Sequence, residues 1–163
     1  MLLSEQAYKK IDRELDKFPA DKKQSAILAS LTIAQDEKGW VSPDVIEDVA
    51  GYLGVPPIAV QEVATFYNML NTSPVGCYKL AVCTNLPCAL RGSEQALAHL
   101  REKLGVSLNE TTADGLFTVI ETECMGACGD APLVVVNNKQ MCVRMSEDRL
   151  DAMIDTIRQE GKA

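Results

Sequence analysis

Long apolar runs are missing from this sequence of 163 residues. No run approaches the roughly 18 consecutive apolar residues that a transmembrane helix needs. The first residues, Met1 to Glu5, also lack the basic segment and the following apolar segment that a secretory signal peptide carries. We therefore expect a cytoplasmic protein that is made without a signal or transit peptide and is not itself inserted in a membrane.

An excess of basic residues is missing as well. The chain has 16 Lys and Arg against 23 Asp and Glu, a net charge of −7, which disfavours nucleic acid and anionic membranes as partners. Neither a G-x-G-x-x-G nor a G-x-x-x-x-G-K-[ST] segment occurs, so we expect no nucleotide-phosphate site in this chain. With 47% hydrophobic and 24% charged residues, the composition is that of a folded protein of one or two small domains.

Cysteine, in contrast, is present in a pattern. Cys83 and Cys88 form a C-x₄-C segment, and Cys124 and Cys128 form a C-x₃-C segment. Because a reducing compartment disfavours disulfides, paired thiols of this kind indicate metal ligands. Four thiolates are the ligand set of structural zinc and of [2Fe–2S] or [4Fe–4S] clusters. The spacing leaves three interpretations open: an iron–sulfur cluster, a zinc site, and cysteines without a metal.

The context of the two cysteine segments favours iron and sulfur. Each pair follows a strand-like pattern, and the residues between the pairs contain a helix and a strand of their own. A scaffold of this kind should not need zinc to fold, unlike a small zinc module. The loops at 84–87 and 125–127 are short and neutral, so they can direct backbone N–H groups at sulfur and exclude water, two features that tune a cluster.

Several other residues are given structural interpretations. Cys77 and Cys142 have no partner at ligand spacing, and we interpret them as small buried apolar residues. Trp40, Phe66 and Tyr67 are interpreted as packing residues rather than as a cofactor site. Exposure of any of these aromatic side chains would instead indicate an anchor for docking.

The first part of the chain, residues 1–72, predicts a small bundle of four helices that serves docking. Apolar residues at helical spacing predict helices over 4–18 and 21–37. A Ser-Pro start and a glycine end delimit a third helix over 42–54. A Pro-Pro pair begins the fourth, which extends to about residue 70.

The second part, residues 76–163, follows a linker of Asn, Ser, Pro and Gly at 71–76. Its pattern changes to β-α-β-β-β-α, which predicts strands over 77–82, 117–121, 133–136 and 140–143, and helices over 93–104 and from 146 onward. An Asn-Asn pair at 137–138 suits a tight hairpin. A right-handed crossover would make the first two strands neighbours, and their cysteine loops would then meet at one end of the sheet.

The cysteine segments Val82–Cys88 and Glu123–Cys128 resemble those of the 24-kDa-type subunits of respiratory complex I, which are thioredoxin-like [2Fe–2S] ferredoxins. The resemblance covers nearly the whole chain, because four further segments also match the family pattern: Gly39-Trp40-Val41, Val63-Ala64-Thr65-Phe66-Tyr67, Leu116-Phe117-Thr118-Val119 and Ala131-Pro132. It implies an α+β protein in which the helical bundle precedes a thioredoxin-like α/β domain with a four-stranded mixed sheet.

The same resemblance implies a function. Cys83, Cys88, Cys124 and Cys128 would hold one [2Fe–2S] cluster, with no catalytic residue in the chain. The chain would transfer single electrons in the NADH-oxidising module of NADH:quinone oxidoreductase. It would dock there on a flavoprotein subunit that binds FMN and NADH, beside a further iron–sulfur subunit, peripheral to the inner membrane on its cytoplasmic side. Equivalent subunits of NAD-dependent formate dehydrogenases and NAD-reducing hydrogenases remain alternatives, and a zinc-stapled interaction module is a more distant one.

Overall fold

The computed structural model describes residues 1–160. The chain forms two compact units, Met1–Pro74 and Val75–Ala163. The last residues of the predicted second domain, 161–163, lie outside the described residues. In the described part of the chain, every helix is too short or too polar to cross a membrane.

The first unit is a four-helix bundle. Its helices are α1 (Glu5–Leu15), α2 (Ile27–Lys38), α3 (Pro43–Leu53) and α4 (Pro57–Phe66). Ile11, Leu31 and Leu53 are fully buried between them. The N-terminus of α3 is as predicted, since the hydroxyl of Ser42 accepts a hydrogen bond from the backbone N–H of Val45 at 3.2 Å.

The second predicted helix is shorter than the sequence pattern indicated. Lys23–Ala26 forms a 3₁₀ turn, and α2 begins only at Ile27. Neither start has a side chain that caps it, so no capping residue marks in the sequence where the α-helix begins. Phe66, interpreted above as a packing residue, is 80% exposed, and that interpretation was wrong.

The second unit is a mixed sheet with helices. Its strands are β1 (Tyr78–Cys83), β2 (Phe117–Thr122), β3 (Val134–Val136) and β4 (Gln140–Cys142), and its helices are α5 (Leu86–Ala89), α6 (Ser93–Leu104) and α7 (Glu147–Glu160). The strand order is β2-β1-β3-β4, with β1 and β2 parallel and the other pairs antiparallel. The predicted α+β class and four-stranded mixed sheet are confirmed.

The helices α6 and α7 pack on one face of this sheet. Leu80 and Val82 of β1 and Phe117 of β2 are fully buried there against Leu100 of α6 and Ile154 of α7. Because successive side chains of a strand point to opposite faces, the intervening residues of β1 face the other way. The last of those residues is the first cysteine of the C-x₄-C segment.

The connection between β3 and β4 is the predicted hairpin. Asn137 and Asn138 both have positive φ, at 52° and 58°, a conformation that asparagine tolerates better than most residues. Cys142 in β4 is half-buried against the core, whereas Cys77, just before β1, is exposed. The interpretation of Cys77 as a buried apolar residue was therefore wrong.

Candidate metal centre

The two cysteine segments follow neighbouring parallel strands. In the register of the sheet, Cys83 at the end of β1 lies opposite Thr122 at the end of β2, and Cys124 follows two residues later. Both segments therefore leave the same edge of the sheet, as the right-handed crossover predicted. This edge holds the candidate site formed by Cys83, Cys88, Cys124 and Cys128, called the cysteine site below.

The C-x₄-C segment turns at once into a short helix. Asn85 precedes α5, and its carbonyl accepts a hydrogen bond from the backbone N–H of Cys88 at 2.8 Å. The turn returns the chain to the end of β1, so that Cys83 and Cys88 are both fully buried beside Leu133. Pro87 in the first turn of α5 suits this start, because no helical acceptor is available to an N–H at that position.

The C-x₃-C segment is more open. Cys124 is exposed, whereas Cys128 is half-buried and packs against the buried cluster that contains Cys83 and Cys88. Gly126 has a φ of +75°, and its backbone N–H donates a hydrogen bond to the sulfur of Cys124 at 3.4 Å. This is the kind of N–H to sulfur contact expected of the short neutral loops.

Two hydrogen bonds join the cysteine loops to each other. The hydroxyl of Thr84 donates to the carboxylate of Glu121, and the Asn85 side-chain amide donates to Glu123 at 2.8 Å. Both donors lie in the first loop, and both carboxylates lie just before the second. The pairs therefore hold the loops side by side, a feature that the sequence spacing did not reveal.

An ion pair fixes the far side of the second loop. Asp130, two residues after Cys128, accepts a hydrogen bond from the Arg144 side-chain Nε at 2.9 Å. The backbone carbonyl of Asp130 also accepts from the backbone N–H of Arg144 at 2.7 Å. The segment after Cys128 is thus bonded to the segment that follows β4. The second cysteine loop is therefore held to the sheet both before Cys124, by β2, and after Cys128.

Burial controls the protonation of the Cys88 thiol. Burial raises the pKa of Cys88 to about 12, and hydrogen bonding to the neighbouring thiols of Cys83 and Cys128 acts in the same direction. Cys88 thus contacts two of the other three predicted cysteines. A thiolate set of this kind needs a cation to replace its protons, and soft sulfur ligands select zinc, copper(I) or iron–sulfur clusters.

The fourth cysteine is not part of this contact set. Cys124 is exposed on its loop, and among the described residues no three Cys, His, Asp or Glu side chains are arranged to hold a single metal ion. The donor chemistry nevertheless fits an iron–sulfur cluster, since Cys83, Cys88 and Cys128 offer sulfur. The carboxylates of Glu121 and Glu123 nearby accept hydrogen bonds from Thr84 and Asn85. Three thiols are together, and the fourth lies on the adjoining loop.

The chain matches the family of thioredoxin-like [2Fe–2S] ferredoxins over residues 11–158. It is 43% identical over 147 residues to a subunit of the NADH-quinone oxidoreductase of Rickettsia conorii, a match that covers 90% of this chain and 87% of the relative. It is 36% identical over 148 residues to a subunit of the NADH-quinone oxidoreductase of Thermus thermophilus, covering 91% of this chain and 82% of that relative.

A solved structure also has a similar fold. An NAD⁺-reducing [NiFe]-hydrogenase in the air-oxidized state superposes with a TM-score of 0.71 at 22% sequence identity, over 82% of this chain and 23% of the hydrogenase chain. At this identity the likeness concerns the fold alone.

Proposed function

The chain belongs to the thioredoxin-like [2Fe–2S] ferredoxin family, and we propose that it is a one-electron-transfer subunit of the NADH-oxidising module of NADH:quinone oxidoreductase. The observation that carries this proposal is the gathering of Cys83, Cys88 and Cys128 at one edge of the sheet, with Cys124 on the adjoining loop. Relatives that are named as subunits of that oxidoreductase and match nine-tenths of the chain support the assignment.

The four cysteines would each supply one thiolate to a single [2Fe–2S] cluster. When bound, such a cluster accepts and donates one electron without a proton or an atom being transferred. Leu133 and the buried position of Cys83 and Cys88 exclude water from one side of the site, and the Gly126 N–H lies at the more open side. The chain thereby sets the cluster's potential and takes no part in bond chemistry.

The proposed electron transfer requires partner subunits. A flavoprotein subunit would bind NADH and FMN and deliver electrons singly, and a further iron–sulfur subunit would lie in the same module. The helical bundle, residues 1–72, would serve docking, and two exposed apolar residues of α4, Ile58 and Phe66, support that role because anchors of this kind are frequent at interfaces. The chain would then be peripheral to the inner membrane on the cytoplasmic side, held there by the complex.

The proposal is tested by the metal content of the full-length chain. Purified or reconstituted protein should be brown, contain two irons and two sulfides per chain, and lose visible absorbance on reduction with dithionite. A colourless protein with one tightly bound zinc per chain would instead indicate a zinc-stapled module. That outcome would contradict the electron-transfer function.

A further inference from the structure

One charged side chain is buried in the part of the chain that the structure describes. Lys79, in the middle strand β1, is only 2% exposed. Desolvation lowers the pKa of its amine to about 8, which still leaves the amine mostly protonated at neutral pH. Full burial of a lysine is rare in proteins.

Lys79 faces the same side of the sheet as the first cysteine of the site. Leu80 and Val82 point into the core beneath α6 and α7, so Lys79 and Cys83 both face the opposite side, with Ala81 between them. Four residues along a strand span roughly 13 Å. The backbone of Lys79 therefore lies roughly 13 Å from that of Cys83, on the strand that supplies the first ligand of the site.

The backbone holds Lys79 firmly in place. Its N–H donates a hydrogen bond to the Asn137 side-chain oxygen at 2.7 Å, and its carbonyl accepts one from the Asn137 N–H at 3.0 Å. Its register partner in β2 is Thr118, which is also buried and hydrogen-bonds to Gly76 and Thr111. The backbone of Lys79 is thus fixed by the hairpin on one side and by β2 on the other.

The sheet places no carboxylate between Lys79 and Cys83 on this face. In the described strands, Ala81 lies next to Ile120 of β2 and Val135 of β3, and all three are apolar. Buried charges are screened by salt much less than exposed ones, whose effect is largely lost beyond about 10 Å at 0.1 M ionic strength. Salt should therefore weaken the effect of a buried positive charge at Lys79 less than that of an exposed one.

We propose that Lys79 sets the reduction potential of the cysteine site: its buried positive charge stabilises the extra negative charge that the site gains with one electron. The proposal rests on the function proposed above. The step is the arrival of one electron from a reduced flavoprotein, with no bond formed or broken and no proton required. The chain has a net charge of −7, and this negative charge favours the oxidised form of the site. Lys79 has the opposite effect and raises the reduction potential.

The test uses the full-length chain loaded with iron and sulfide. Midpoint potentials are measured by EPR-monitored redox titration for the wild type, for Lys79→Met and Lys79→Gln, which remove the charge, and for Lys79→Arg, which retains it. Lys139→Met is the control, because Lys139 is an exposed lysine in the β3–β4 turn. We expect equal iron content throughout, a lower potential in the two neutral variants at low and high ionic strength alike, and values near the wild type for Lys79→Arg and Lys139→Met.

Two results would overturn this role of Lys79. One is an unchanged potential in the iron-loaded neutral variants, which would leave the proposed electron-transfer function intact. The other is loss of iron from both neutral variants while Lys79→Arg loads fully, which would assign Lys79 to folding or assembly instead. A wild-type chain that binds no iron and sulfide would contradict the proposed function itself, and it differs from both other results because it appears before any substitution is made.

Discussion

At the scale of single residues, the cysteine site has two buried side chains, and its four predicted ligands are all cysteine thiols. Cys83 and Cys88 are fully enclosed, and the thiol of Cys88 has a pKa raised to about 12, by burial first and then by its neighbours Cys83 and Cys128. Such a thiol holds its proton until a metal displaces it. The protein interior therefore opposes free thiolates and favours thiolates that are bound to a cation.

The roles of the six cysteines can be separated by single substitutions. Cys83→Ser, Cys88→Ser, Cys124→Ser and Cys128→Ser should each lose or strongly alter the cluster, because an alkoxide is a harder and poorer ligand for this site than a thiolate. The matched controls are Cys77→Ser and Cys142→Ser, which should retain wild-type iron content and EPR spectra. Equal loss of iron in all six variants would refute the four-ligand assignment.

Some residue-level features could not be read from the sequence. The cysteine spacing was sufficient to single out four candidate ligands, because short chelate loops leave a local signature. The burial of Lys79 left no such signature in the sequence, since a lysine within a strand usually indicates a position that faces solvent. The bonds from Thr84 and Asn85 to Glu121 and Glu123 join residues more than 35 positions apart, and no local pattern encodes such contacts.

At the scale of elements, the sequence was most informative where a helix carries its own boundary signals. The predicted helix over 93–104 matches α6, Ser93–Leu104, and Gly105 ends it in the left-handed conformation. The helix α5 was missed. It has four residues with a proline in its first turn, so it is too short to show a helical period and is stabilised by its place beside the sheet.

A polar cluster links α6 to α7. Asp151 on α7 lies 2.8 Å from the Nε2 of His99 and 3.0 Å from the amine of Lys103, both on α6. Hydrogen bonding to His99 and then to Lys103 holds the pKa of Asp151 below its ordinary value. Because the folded pKa is lowered, the stabilisation is fully present above the unfolded pKa and is lost as the pH falls through the folded value.

Replacement of Asp151 should therefore destabilise the protein in a pH-dependent way. We expect Asp151→Asn to lower the free energy of unfolding at neutral pH, with the difference from wild type shrinking below about pH 4. Urea unfolding at several pH values measures this. Asp155→Asn, on the exposed side of the same helix, should be close to neutral; an Asp151→Asn effect that stayed constant at acidic pH would contradict the interpretation of the cluster.

At the scale of the whole molecule, the chain consists of two compact units with separate cores. All four cysteines of the site and both strands that lead to them belong to the second unit. We therefore expect residues 76–163 to fold and to hold the cluster without the helical bundle. The measurement is iron content and visible absorption of this fragment beside those of the full chain, and an unfolded fragment without iron would place the domain boundary elsewhere.

The helical bundle should then contribute to binding of the partner subunit and not to binding of the cluster. Fragment 76–163 is expected to bind the flavoprotein partner more weakly than the full chain does, because it lacks the exposed apolar residues of α4, Ile58 and Phe66. Co-purification with the partner provides the measurement. Equal binding by the fragment and the full chain would remove the docking role from the bundle.

The chain should show no NADH oxidation in isolation. A centre that accepts one electron cannot take a hydride directly, and the sequence contains no flavin or dinucleotide motif of the G-x-G-x-x-G kind. The purified subunit should therefore not oxidise NADH with ferricyanide as acceptor, and activity should appear only after the flavoprotein partner is added. How far the cluster is then reduced depends on the difference in potentials, since a centre about 60 mV below its donor is only about 10% reduced at equilibrium. Turnover by the subunit alone, at a rate that follows its concentration and survives the Cys83→Ser substitution, would show a catalytic site in this chain and would overturn its interpretation as a carrier of single electrons.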